Sequence, residues 1–199
     1  MITSMSDILV VTNRALCQEE FYTRLERIAK AKPAGIILRE KDLRPEEYKA
    51  FAVHALEICT RQGVPCILHT FWQVARSLGA DKLHMPLPLL RQMETGERER
   101  FSVLGASCHS AEDALEAQAL GCTYITAGHI FATDCKQDLP GRGLDFLRQV
   151  CQSVDLPVYA IGGIASENID AVRHTGAAGA CVMGSAMTCP DPAALLANL

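Results

Sequence analysis

An α/β fold in which eight strand-then-helix units close into one small barrel is what this sequence predicts, and three observations carry the prediction. Short apolar runs rich in β-branched residues recur along the 199 residues, each followed by an amphipathic stretch. Most of these runs lack period-2 alternation, the pattern of strands covered on both faces and hence of a parallel sheet. The number of units also points to closure, because a closed ring of eight parallel strands satisfies every sheet edge. An open doubly wound sheet, which usually has fewer strands, ranks second.

The predicted strands are, in order, Ile8–Val11, Gly35–Leu38, Pro65–Leu68, Lys82–His84, Phe101–Gly105, Cys122–Ala127, Pro157–Ile161 and Gly179–Met183. Between the first two, Glu19–Ala31 reads as a helix with Phe21, Leu25, Ile28 and Ala29 on one face. Pro45–Arg61 has proline at a helix start, apolar residues at three-to-four spacing and Gly63 as a stop. Ser110–Leu120 opens on Ser110 with Asp113 three residues later and closes on Gly121. Ser166–His174 takes Ser166 as its cap and Gly176 as its end, and Trp72–Leu78, Gly143–Cys151 and Ala193–Leu199 complete the helices. Pro86–Met93 follows neither period, and the polar run Glu94–Arg100 reads as a solvated loop. The whole chain, 1–199, is predicted as a single domain, with residues 1–6 a loose N-terminal extension.

Composition narrows the function classes. Hydrophobic residues at 49% and charged residues at 21% exclude a disordered or collagen-like chain. A net charge of −4 argues against nucleic acid as a partner, which calls for a basic face. No apolar run approaches the roughly 18 residues that span a bilayer, and Met1 to Asp7 lacks the basic and apolar parts of a signal peptide. Nine cysteines without a C-x-x-C pair then read as reduced thiols, several filling the core, in a cytoplasmic protein.

In barrels of this kind the chemistry collects at the C-terminal ends of the strands. Four of the six histidines, His69, His84, His109 and His129, fall at or just after four successive strand ends, whereas His54 and His174 lie on helices. No H-x-H or H-x-x-x-H spacing occurs, and the neighbours Cys108 and His109 should point to opposite faces, so no metal site is predicted. Gly162-Gly163 follows the seventh strand and Met183-Gly184-Ser185 ends the eighth. Glycines let backbone N–H groups approach an anion, so Gly162, Gly163, Met183 and Gly184 are the candidate phosphate site. Arg39 continues the buried run Gly35–Leu38, which aims its guanidinium at a carboxylate or phosphate, and Glu40 follows it.

With these residues in place, the chain resembles the thiamine phosphate synthase/TenI family over almost its whole length. The resemblance lies in LREKDL (Leu38–Leu43), GASCHSAEDALEAQALGCTYITAGHIFATDCK (Gly105–Lys136), PVYAIGGIASENI (Pro157–Ile169) and GAAGACVMGSAM (Gly176–Met187). The family fold is a TIM barrel, often dimeric, which implies a homodimer here. Two activities share the pattern. The synthase joins a pyrimidine pyrophosphate to thiazole phosphate with Mg²⁺, held through an Asn-Asp-Arg segment after the third strand and a Gln-x-Asp segment after the fourth. Here those positions carry His69-Thr70-Phe71 and Leu87-Pro88-Leu89, so both carboxylates are missing.

The segment GHIFATDCKQDLPGRG (Gly128–Gly143) looks like that of TenI, the thiazole tautomerase. The resemblance therefore implies an isomerase that aromatises a carboxythiazole phosphate tautomer without cofactor. His129 would be its acid–base residue, since an imidazole can take a proton at one carbon and return it at another. Arg39 or Lys136 would stabilise the charge that develops, His109 and Ser107 would orient the substrate, and Glu40, His69 and Thr133 would complete the pocket. The synthase, or a phosphate-ligand-binding regulatory protein without catalysis, is the alternative. Either way the partner is a small phosphorylated molecule.

Overall fold

The computed structural model describes residues 7–132 and 139–199. Eight parallel strands follow one another in chain order around a closed barrel: β1 (Ile8–Val11), β2 (Gly35–Leu38), β3 (Cys66–His69), β4 (Lys82–Pro86), β5 (Val103–Cys108), β6 (Tyr124–Gly128), β7 (Val158–Ile161) and β8 (Gly179–Val182). The fold is a (β/α)8 TIM barrel, as the run pattern predicts. Every residue of β1, β2, β3, β6 and β8 is buried, which explains why those runs show no alternation.

The helices are α1 (Phe21–Lys30), α2 (Pro45–Gln62), α3 (Trp72–Ser77), α4 (Leu87–Leu90), α5 (Thr95–Arg98), α6 (Ala111–Ala119), α7 (Gly143–Ser153), α8 (Ile169–Arg173), α9 (Gly184–Thr188) and α10 (Pro192–Ala197), with a 3₁₀ turn at Arg14–Leu16. Capping follows the sequence at α6. Ser110 accepts from the Asp113 amide at 3.0 Å, and the Asp113 carboxylate accepts from the His109 amide at 2.8 Å. Gly63 ends α2 in the left-handed region, at φ 63°.

Three expectations need correction. Glu94–Arg100 is no plain loop: Thr95–Arg98 forms a helical turn whose Arg98 guanidinium reaches the Met93 carbonyl at 3.0 Å. The helix expected from Ser166 begins at Ile169, because Asn168 draws the preceding turn together, accepting from the Ala165 amide and donating to the Gly163 carbonyl. β4 runs two residues past His84, which therefore sits inside the strand and not at its end.

By Cα proximity the chain forms two compact units, one of residues up to Leu83 with Val182–Leu199, the other His84–Cys181. In the first, buried Arg24 of α1 pairs with Glu19 at 2.7 Å and donates to the Cys189 carbonyl at 2.7 Å, tying α1 to the segment after α9. The second is centred on β5, β6 and β7, with Gly105 opposite Tyr124, Ser107 opposite Thr126 and Ala127 opposite Ala160. Residues 1–6, the predicted extension, lie outside the described residues. The described cysteines are free thiols, and burial pushes those of Cys108 and Cys122 up to about 12. No helix among the described residues is long and apolar enough to cross a membrane.

Candidate functional site

In the first unit the ends of β1 and β2 are knotted around Glu40. Its carboxylate, 2% exposed, accepts from the Thr12 hydroxyl at 2.7 Å and from the Arg14 amide at 3.0 and 3.2 Å. Thr12 Oγ1 in turn accepts from the Arg39 amide at 2.9 Å. Burial raises the Glu40 carboxyl above its ordinary range, against the lowering by the Arg14 amide and the Thr12 hydroxyl. Glu40, predicted as a pocket residue, thus spends its acceptors on the chain itself. Arg39 beside it is half-buried.

A second tie joins β2 to β3. The Tyr48 hydroxyl on α2 donates to the Leu38 carbonyl at 2.6 Å and accepts from the His69 amide at 2.9 Å. His69 is buried, its Nδ1 hydrogen-bonded to Thr70 Oγ1 at 2.6 Å. Thr70 itself stands at φ 68°, where a β-branched residue is strained. Met183 precedes α9 and Gly184 opens it, and a Cβ added at Gly184 would meet open space. Neither packing nor a positive φ therefore demands glycine at 184.

In the second unit the turn after β7 is pressed onto the loop after β6. Gly162 and Gly163 have φ of 103° and 66°, and a Cβ on either would collide with His129 or with Phe131 and Ala132. The Ile130 and Phe131 amides donate to the Ile161 and Gly162 carbonyls at 2.9 and 3.0 Å. These two glycines thus have a packing reason apart from any anion. The His129 ring is 6% exposed. Its Nε2 lies 3.2 Å from the Leu139 carbonyl, which can only accept, so Nε2 is the donor in that contact. Its Nδ1 is buried without a hydrogen-bond partner among the described residues. By the same logic His109 Nδ1 donates to the Gly128 carbonyl at 2.9 Å.

His84, to which the sequence reading gave no role, lies between the Tyr124 hydroxyl and Ser107 Oγ, 2.9 Å from each. Burial lowers its imidazole to about 3, so it is neutral throughout the physiological range. The signal that could have found this trio is a small residue, Gly105, placed opposite a tyrosine. Asn168, which holds the Gly163 carbonyl, was also missed. Thr133 and Lys136, the remaining predicted site residues, lie outside the described residues.

The family model described as thiamine monophosphate synthase matches residues 8–186. The chain belongs to that family. Among curated relatives it is 32% identical to a thiamine-phosphate synthase of Syntrophomonas wolfei, covering 96% of this chain and 93% of the relative. It is 33% identical to thiamine-phosphate synthase 2 of Streptococcus pneumoniae, covering 92% and 89%. Among solved structures, a thiamine phosphate pyrophosphorylase from Pyrococcus furiosus superposes with a TM-score of 0.81 at 27% identity, over 96% of this chain and 92% of that one.

These relatives overturn the expected isomerase. They carry the name of a transferase, and the likeness extends over nine-tenths of the chain, whereas the tautomerase reading rested on the segment Gly128–Gly143 and on the two carboxylates missing at Thr70 and Leu89. Magnesium, which the resemblance implies for a synthase, does not fit the side chains at the two strand ends expected to hold it. After β3 stand an imidazole already bonded to a threonine hydroxyl, then Phe71, and after β4 come buried Leu87 and exposed Pro88 and Leu89. A hard cation takes oxygen ligands, and the second of these segments offers no side-chain oxygen. Among the described residues no group of three or more His, Cys, Asp or Glu is placed to hold a metal ion.

Proposed function

We propose that this chain is a transferase of the thiamine-phosphate synthase type. In that reaction the thiazole nitrogen forms a C–N bond to the exocyclic methylene of a pyrimidine diphosphate. The methylene C–O bond breaks, and diphosphate leaves with the electron pair. No oxidation state changes, so the reading includes no redox cofactor. The observation that carries it is the likeness to named synthases over nine-tenths of the chain.

The chain's own residues supply chemistry that suits this transfer. Arg39 offers a delocalised cation for the departing diphosphate. The backbone at Gly162 and Gly163, and separately at Met183 and Gly184, offers amides to a phosphoryl group. Ser107 offers a hydroxyl and His129 its buried Nδ1 to polar groups on the substrates, and a buried polar atom with no partner among the described residues gains most from a ligand that bonds to it. His109 stands two residues after Ser107 and holds the Gly128 carbonyl, which gives it a part in shaping the β6 loop. A cytoplasmic location and an assembly of two copies go with this reading.

The test is to incubate the protein with hydroxymethylpyrimidine diphosphate and thiazole phosphate, with and without Mg²⁺. Thiamine phosphate and diphosphate formed in equal amounts is the expected result. Thiazole phosphate bound without any product would sink the reading. That outcome would support a phosphate-ligand-binding regulatory protein, which the missing carboxylates at Thr70 and Leu89 favour.

A further inference from the structure

We propose that Tyr124 and His84 act as positioning residues that turn the Ser107 hydroxyl into a dedicated hydrogen-bond donor toward the substrate. The inference rests on the three side chains themselves. Its kinetic arm also depends on the transferase reading.

Three neighbouring strands supply the chain of hydrogen bonds: Ser107 from β5, His84 from β4 and Tyr124 from β6. Tyr124 lies across Gly105, where a side chain would occupy the space of its ring, so the glycine is what admits the phenol. Tyr159 meets that ring edge-on at a centroid distance of 5.8 Å. Tyr124 and His84 are each 2% exposed, whereas Ser107 is half-buried, so the chain runs from the interior outward.

The direction of the protons follows from counting donors and acceptors. Among the described residues the Tyr124 hydroxyl has one hydrogen-bond partner, His84 Nδ1. A buried phenol must place its proton somewhere, and a neutral imidazole nitrogen is a strong acceptor. With Tyr124 donating to Nδ1, neutral His84 carries its single proton on Nε2 and donates it to Ser107 Oγ. Ser107 then receives a hydrogen bond from the only described residue that its hydroxyl meets, and its own proton is left to point away from His84. In the reverse direction the Tyr124 proton would be stranded in the interior, at the cost of an unmade buried hydrogen bond. The matching acceptor on the substrate is a phosphoryl oxygen or a ring nitrogen.

Two measurements test this. In the free protein, ¹⁵N spectra of the His84 ring should show protonation at Nε2 alone between pH 8 and pH 5, and Tyr124→Phe should let the second tautomer appear. Protonation at Nδ1 in the wild type overturns the proposal. For coupling, Ser107→Ala and Tyr124→Phe should each raise the KM of the same co-substrate, by about 5-fold, a fold-change in the range of one hydrogen bond, with kcat less affected. The co-substrate whose KM moves identifies which molecule carries the acceptor. The double variant should be no worse than Ser107→Ala alone. Two effects that simply multiply would mean that Tyr124 does not act through Ser107, and the proposal fails. His84→Gln, whose carbonyl can accept from Tyr124 and whose amide can donate to Ser107, should keep KM near the wild-type value, whereas His84→Leu should raise it at least as much as Ser107→Ala. Equal losses in both His84 variants also overturn it. If no coupling occurs in the wild type, the transferase reading falls and the ring spectra still decide the hydrogen-bond chain.

Discussion

The knot around Glu40 and the trio around His84 bury polar groups by opposite means. Glu40 is an ionisable acid held by two donors, the Arg14 amide shared between its two oxygens and the Thr12 hydroxyl, whose own oxygen is taken up by the Arg39 amide, so its charge is met locally while burial still works against it. His84 sits between groups that can both give and take, and it stays neutral. The first arrangement fixes backbone: it locks the start of the 3₁₀ turn to the end of β2 and leaves nothing over for a ligand. The second has one proton more than its internal acceptors need, and that surplus sits on Ser107. A network that closes on itself holds shape, and one that ends in a half-buried hydroxyl can recognise something.

The most damaging change to this contrast should be Gly105→Ala. The new methyl would overlap the Tyr124 ring, which is 2% exposed and packed against Tyr159, so the whole trio must shift. Overpacking of this kind costs about 1–3 kcal/mol, and the upper end is expected where the overlap is with a buried ring. Urea denaturation should show the midpoint falling accordingly, and a change under 1 kcal/mol would mean that the ring has room to move. Next comes Tyr48→Phe in the first unit, which removes the hydroxyl joining the Leu38 carbonyl to the His69 amide. A loss of about 2 kcal/mol is expected, because an acceptor and a donor are left buried and unmade. Hydrogen exchange at the His69 amide should accelerate, and an unchanged rate would show that another group takes over.

These two residues also show how far the sequence could be read. The strands were legible because burial on both faces suppresses alternation, and the glycine stops at Gly63, Gly121 and Gly176 were legible because a left-handed terminus favours glycine whatever surrounds it. The barrel followed from counting. What stayed hidden depends on partners distant in sequence. Tyr48 reads as one apolar residue in a helical stripe, and only the positions of β2 and β3 reveal that its oxygen bridges them. His84 reads as a strand-end imidazole until β4 is seen to continue to Pro86. Gly162 and Gly163 read as an anion site from their place after the seventh strand, and what the sequence does not show is that the β6 loop also packs where their side chains would be. The activity is a different case: the segment Gly128–Gly143 and the carboxylates missing at Thr70 and Leu89 point to an isomerase, whereas the likeness over the remainder of the chain is to synthases.

Acid should expose the neutral character of the second network. The His84 imidazole is depressed from the ordinary 6.5 to about 3, so between those values the unfolded chain binds a proton that the folded chain refuses. Stability that is fully present above pH 6.5 is therefore lost as pH falls, by up to about 1.4 kcal/mol per pH unit for this one group. His84→Gln removes that slope. Stability curves for the two proteins measured from pH 7 to pH 4 should converge toward the acid side, and parallel curves would show that His84 is charged in the folded state.

The first network should respond in the opposite sense and more weakly. Because the Glu40 carboxyl is raised above its unfolded value, its contribution is complete at low pH and declines as pH rises through the folded titration. Gln at this position stays neutral and keeps one oxygen for Thr12 and the Arg14 amide, while losing the second acceptor. Glu40→Gln should therefore be least favourable relative to wild type near pH 4 and should gain on it toward pH 7, with a net difference within about 1 kcal/mol at neutrality. A variant that instead loses ground as pH rises would mean that the carboxylate charge is welcome where it sits. In that case the ends of β1 and β2 would hold a cation or ligand contact that the Thr12 and Arg14 hydrogen bonds do not account for.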